Sequence, residues 1–150
     1  AVDMKKALEK EAPGAQALVM AAAVADYAPD SISREKKPKS KVPLRLALKR
    51  NPDILAGLGT MKNRPRVVVG FSAETKGLLP KARAKLRSKH ADLFVANRVG
   101  APGLGFGQGA LAQGYLVPRK GRPRRFAKIT KDRLAELVLD EVQKLLGIRA

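Results

Sequence analysis

The chain has 150 residues, enough for one domain with its own core and too few for two comfortable ones. It carries 31 Lys and Arg against 13 Asp and Glu, a formal net charge of +18, yet 45% of its residues are hydrophobic, so it reads as a globular chain with anionic partners and not as a basic tail. With no Cys and a single His, His90, it cannot hold disulfides, thiolate metal sites, cysteine nucleophiles or a His-cluster metal site within one chain.

In chain order, residues 3–11 predict a short helix broken by Pro13-Gly14. Residues 16–23 are an apolar run of strand length that stops before Asp26, the pattern of a strand buried on both faces of a parallel sheet. That run falls well short of the ~20 residues that span a bilayer. The N-terminus lacks the apolar stretch of a signal peptide. A soluble cytoplasmic protein with no membrane partner is therefore expected. Residues 28–42, rich in Lys, Ser and Pro, predict a mobile loop. Residues 43–48 alternate apolar and basic side chains and predict a half-exposed strand. Asn51-Pro52-Asp53 opens a short helix, with Asn51 able to cap it and Pro52 suited to its first turn. Residues 66–71 predict a second buried strand, 75–89 a helix with Pro80 near its start, and 92–96 a third strand. A glycine-rich loop follows over 100–114. Two strands, 114–118 and 124–129, are joined by a basic turn. Residues 130–146 predict the clearest helix, with one apolar stripe and Gly147 as its stop.

Buried strands alternating with helices predict an α/β fold: a Rossmann-like, doubly wound, mostly parallel sheet with a flexible Lys-rich flap and a C-terminal helix. Such sheets bind ligands beyond the carboxyl ends of their strands. The candidate residues therefore follow the predicted strands. Small side chains from Met20 through Ala23 would let a ligand approach the backbone, and Asp26 could accept a hydrogen bond from a ribose or base, or simply form a turn. Flexible lysines around Lys36 can close over a phosphate or stay solvated. The Asn51-Pro52-Asp53-Ile54-Leu55 segment offers free backbone N–H groups or an ordinary cap. Phe71, read as ending its strand, could pack on a base or close the core. Lys85 and Lys89, one turn apart, repel each other unless an anion relieves them. The loop Gly103-Leu104-Gly105-Phe106-Gly107 lacks the spacing of a phosphate fingerprint. His90 reads as a surface residue at a helix end.

Singly these motifs are weak, but their order is specific. Ala21 to Pro29 (A-A-A-V-A-D-Y-A-P), the Glu35-Lys36 loop, Asn51 to Ala56 (N-P-D-I-L-A), Gly70 to Thr75 (G-F-S-A-E-T), the Lys85/Lys89 helix, Asp92 to Asn97 (D-L-F-V-A-N) and Gly105-Phe106 follow one another. The whole resembles bacterial phosphopantothenate–cysteine ligase, the phosphopantothenoylcysteine synthetase part of the bifunctional coenzyme A biosynthesis protein, over about 1–146. The resemblance implies an enzyme that uses CTP, with Mg²⁺ on the triphosphate, to activate the carboxylate of 4′-phosphopantothenate as an acyl-cytidylate and then joins it to L-cysteine.

On matching positions the resemblance assigns nucleotide contacts to Met20, Ala21, Ala22, Asp26, Lys36, Pro52, Asp53, Ile54, Leu55, Phe71, Lys85 and Lys89. It assigns phosphopantothenate contacts to Ala22 and Ala23, and the catalytic role in the cysteine half-reaction to the flap residue Lys36; metal ligands stay unassigned. It implies a homodimer meeting near 43–49 and a flavin-dependent decarboxylase as fused or working partner. The chain departs from the family in its flap, Lys36-Lys37-Pro38-Lys39, and after Gly105-Phe106, where Gly107-Gln108-Gly109 stands. The family's first strand, glycine-rich turn and catalytic Asn precede the point matching Ala1, so a single, N-terminally incomplete ligase domain over 1–150, poorly active alone, is expected. The other readings are a basic nucleic-acid-binding α/β module and a nucleotide-binding domain without catalysis. Having only four Phe, two Tyr and no Trp argues against the first, because stacking platforms need aromatics. Three Asn, four Gln and abundant charge fit a thermophilic source.

Overall fold

A computed structural model describes residues 1–33, 35–36, 45–107 and 109–148. Its elements in order are α1 (Val2–Glu11), β1 (Ala17–Met20), β2 (Tyr27–Pro29), β3 (Leu48–Arg50), α2 (Ile54–Thr60), β4 (Val67–Glu74), α3 (Leu78–Ser88), β5 (Leu93–Arg98), β6 (Ala112–Pro118), β7 (Arg124–Ile129) and α4 (Lys131–Leu146). Five strands form one sheet in the order β1-β4-β5-β6-β7, and β2 and β3 form a separate antiparallel ribbon. The β1–β4 and β4–β5 pairs are parallel, while β6 enters antiparallel between β5 and β7, so four of the five strands point the same way.

The core follows from the alternation along β4. Val67 and Val69 face one side and pack with Leu93, Val95, Leu116 and Phe126 under Leu134, Leu137, Val138 and Val142 of α4. Val68 faces the other side and packs with Phe94, Ala96 and Val117 under Ala82 and Leu86 of α3. A strand buried on both faces has no polar side to show, which is why its sequence reads as a continuous apolar run. A third cluster joins α1 and α2 to the end of β1 through Ala12, Met20, Ile54 and Leu58. The expected Rossmann-like α/β arrangement holds, with helices on both faces of a mostly parallel sheet.

α4 matches its prediction within one residue. The Thr130 side chain accepts from the Arg133 N–H at 3.2 Å, and Gly147 takes the left-handed conformation at φ 76° that ends a helix. Other boundaries differ from expectation, four of them most clearly. β1 stops at Met20 and not at 23, because the Ala21 N–H turns back to the Val19 carbonyl at 3.2 Å and leaves the ladder, and it is not covered on both faces as expected but lies at the sheet edge with Val19 exposed. β4 runs three residues past Phe71, because Ser72, Ala73 and Glu74 keep pairing with Ala96, Asn97 and Arg98. α3 starts at Leu78 after a left-handed Gly77, which seats Pro80 in the first turn, where a missing N–H costs no helical bond. Residues 28 and 29, expected in the loop, join Tyr27 in pairing with β3, which covers 48–50, so that residues 45–47 of the strand expected over 43–48 lie outside it. Residues 37–44, with the flap residues Lys37, Pro38 and Lys39 and the start of that expected strand, lie outside the described residues, as does Gln108.

Candidate functional site

α2 begins one turn beyond β3 because Asp53 caps it: its side chain accepts from the Ala56 N–H at 3.1 Å. Asn51, expected as the cap, does something else. Its Nδ2 donates to the Ala25 carbonyl at 2.8 Å, and its backbone N–H donates to the Asp26 carbonyl at 2.8 Å. The Ala21–Asp26 stretch is thereby tied to the N-P-D-I segment. Ala21, Ala22, Ala23 and Asp26 are exposed there, while Met20 is buried beneath with Ile54.

The second tie joins α2 to α3. Asp53, already the cap, also accepts from Lys89 Nζ at the end of α3. Burial raises its pKa, but the Lys89 ammonium, the Ala56 N–H and Arg50 outweigh that and hold the carboxyl below its ordinary value. Two features set the Asp53–Lys89 separation. Gly59 lets α2 approach so closely that a Cβ there would stand 2.1 Å from the Lys89 carbonyl. Arg64 then pins the helix ends, donating to the His90 carbonyl at 2.8 Å, to the Gly59 carbonyl at 3.3 Å and to the Asp92 carboxylate.

The third tie joins β4 to α3. Glu74, at the carboxyl end of β4, accepts from Lys85 Nζ at 2.7 Å and from Lys81 Nζ at 2.8 Å. Its carboxylate is buried. Burial raises its pKa, and the two ammonium groups more than reverse that, leaving it below its ordinary value.

The structure thus links Ala25-Asp26, Asn51-Asp53, Glu74 and Lys85/Lys89 into one side of the domain. The Lys85/Lys89 repulsion expected from sequence is relieved by these two carboxylates. Pro52, just before the Asp53 cap, and Leu55, on α2, are half-buried beside the first tie. Phe71 is not brought to the lysines: it alternates with Ser72 and Glu74 along β4 and its ring packs against the α4-side core. Lys36 is exposed and stands outside the linked set. A separate groove of about 320 Å³, lined by Leu78, Leu79, Arg98, Gln113, Tyr115 and Arg125 among others, contains none of the predicted residues. Glu74 and Arg64 were missed from sequence. The E in G-F-S-A-E-T at strand-alternate spacing from Val68 was the one available signal for Glu74; nothing local marks Arg64. Among the described residues no group of three or more His, Cys, Asp or Glu could hold a metal ion, and no helix is long and apolar enough to cross a membrane.

Fold and ties together define a Rossmann-like α/β domain whose polar groups gather where the parallel strands end. More particularly, the family model for the DNA/pantothenate metabolism flavoprotein C-terminal domain matches residues 1–146, and the chain belongs to that family. It is 41% identical over 107 residues to the coenzyme A biosynthesis bifunctional protein CoaBC of Bacillus subtilis, covering 71% of this chain and 26% of that protein. It is 37% identical over 158 residues to CoaBC of Mycobacterium tuberculosis strain H37Rv, covering 98% of this chain and 37% of that protein. The crystal structure of the C-terminal domain of a CoaBC protein superposes with a TM-score of 0.75 at 25% identity, covering 99% of this chain and 64% of that one. The chain spans between a quarter and two fifths of the length of these two curated relatives. The family read from motif order is therefore the family the comparisons show.

Proposed function

We propose that the chain carries the phosphopantothenate–cysteine ligase activity of coenzyme A biosynthesis, with CTP as the activating nucleotide. The observation that supports this best is the convergence of four sequence-distant motifs through Asn51–Ala25, Asp53–Lys89 and Glu74–Lys85 in a chain matched by the family over nearly its whole length.

A free carboxylate is a poor acyl donor. In the proposed reaction a carboxylate oxygen of 4′-phosphopantothenate attacks the α-phosphorus of CTP, the bond to the β-phosphate bridge breaks, and pyrophosphate leaves. The amine of L-cysteine then attacks the acyl carbon and CMP leaves, giving the amide after loss of a proton. The protein has little covalent work to do. Its part is to neutralise phosphate charge and hold the reactants in line. Lys85 and Lys89 supply cations at the phosphates. The exposed backbone of Ala21, Ala22 and Ala23 offers contacts to nucleotide and phosphopantothenate, and Asp26 to the ribose or base. Met20, Pro52, Asp53, Ile54 and Leu55 shape the nucleotide side, Phe71 flanks it, and Lys36 on its loop serves the cysteine step. Mg²⁺ is proposed as an ion carried by the triphosphate, which fits a site with no assembled carboxylate cluster among the described residues.

A homodimer is proposed through the β2–β3 ribbon, where Tyr27, Leu46 and Leu48 are all more than half exposed. A flavin-dependent decarboxylase is the proposed working partner. The test is calorimetric titration with CTP together with pyrophosphate release from CTP and 4′-phosphopantothenate. Saturable CTP binding and only weak CTP-dependent pyrophosphate release are expected, with Lys36→Ala sparing that release and blocking amide formation. Salt-dependent affinity for DNA or RNA without saturable CTP binding would instead establish the nucleic-acid reading.

A further inference from the structure

The side of β4 that faces α3 changes character along its length. Val68 and Gly70 are apolar and tightly packed: a Cβ at Gly70 would stand 2.5 Å from the Phe94 ring. Ser72 and Glu74, the next two residues on that side, are polar and buried. The Ser72 hydroxyl has no hydrogen-bond partner among the described residues, and the Glu74 carboxylate accepts from the ammonium groups of Lys81 and Lys85. Burying polar groups at a strand end is costly for folding alone. The carboxyl end of a parallel strand is also where α/β sheets meet their ligands.

Two cations on one carboxylate is more than neutralisation requires. Glu74 with Lys81 and Lys85 carries a net charge of +1. An ammonium group has three N–H donors, so a lysine that gives one to Glu74 keeps two for another acceptor.

We propose that Glu74 is a positioning residue that fixes the Lys85 ammonium for the nucleotide phosphates, with Lys81 balancing the charge of Glu74 so that Lys85 remains available. This rests on the CTP reading above. A lysine left to itself is a point charge on a flexible stem and gives poor geometry. Anchoring one of its N–H bonds to a buried carboxylate removes that freedom before the nucleotide arrives.

Removing the carboxylate should act opposite in sign to bulk charge. Glu74→Gln adds one unit of positive charge beside the phosphates, yet CTP should bind about tenfold more weakly, because Lys85 loses its anchor. Glu74→Asp, which keeps the charge and shortens the reach, should recover part of the loss. In the native protein, amine acylation read by mass spectrometry should show Lys85 protected by CTP and Lys81 unchanged. That measurement needs no variant, so it decides the matter even where Glu74→Gln does not fold. Equal or tighter CTP binding by Glu74→Gln, or equal protection of Lys81 and Lys85, would overturn the inference while leaving the CTP reading intact. Failure of the native protein to bind CTP would overturn both.

Discussion

Asp92 is the sharpest place to test what holds the site's scaffold. The residue immediately precedes β5, and its side chain is 19% exposed. Oδ2 accepts from the Val68 N–H at 2.9 Å and from the Arg64 guanidinium, while Oδ1 faces Arg119 at 3.8 Å. Asp92→Ala strands the N–H of Val68, a residue with 0% exposure, at a cost of about 1–3 kcal/mol for an unmet buried donor. It also removes a charge-assisted bond from Arg64, which is 22% exposed and keeps its carbonyl partners, so about 1 kcal/mol more is lost. Arg119 is more than half exposed and adds nothing measurable. The total is about 3 kcal/mol. At roughly 2–4 °C per kcal/mol for a domain of this size, the melting temperature should fall by roughly 6–12 °C.

Asp92→Asn separates the two contributions. Its amide oxygen still accepts from Val68, so only the charge-assisted part, about 1 kcal/mol, should be lost. Urea denaturation of the three proteins, with matching slopes, gives the comparison. An alanine variant within about 0.5 kcal/mol of the parent, or an asparagine variant as damaged as the alanine one, would refute this account.

The acid limb of stability should carry the signature of the two paired carboxylates. Glu74 and Asp53 both titrate below their ordinary values of 4.5 and 3.8 in the folded state, so their stabilisation is fully present above the ordinary carboxylate range. It should disappear as the pH falls through that range toward the lower folded values. Denaturation midpoints from pH 7 down to 3 should be level at first and then decline, and Glu74→Gln should flatten the decline; a parallel decline in that variant would show that Glu74 does not contribute. At the β2–β3 ribbon, Leu48→Arg should convert a sedimenting dimer to a monomer without lowering the melting temperature of the five-stranded sheet; a parent protein that already sediments as a monomer would remove the proposed interface.

Much of the fold is legible in the sequence because its strongest signals are local. Val67 to Val69 and Leu93 to Ala96 read as buried parallel strands from composition alone, since both of their faces are covered. The α4 stripe, Thr130 and Gly147 announce a helix with both its ends. The boundaries that moved are those where a distant partner decides. β4 continues to Glu74 because β5 is there to pair with it, and Tyr27 to Pro29 become strand because β3 returns beside them.

The site divides in the same way. Motif order alone identified the family and named Asp26, Asp53, Lys85 and Lys89, because spacing along the chain survives in one dimension. Which group meets which depends on contacts between residues tens of positions apart. Asn51 looks like a helix cap by its place before Pro52, yet folding spends its amide on Ala25 and leaves the cap to Asp53. The Lys85/Lys89 pair looks repulsive until Glu74 and Asp53 arrive from β4 and α2. The +18 charge pointed to anions without locating them. Only the tertiary structure decided where cations are held: charge sums over the whole chain, whereas a hydrogen bond forms only where two groups are brought within about 3 Å.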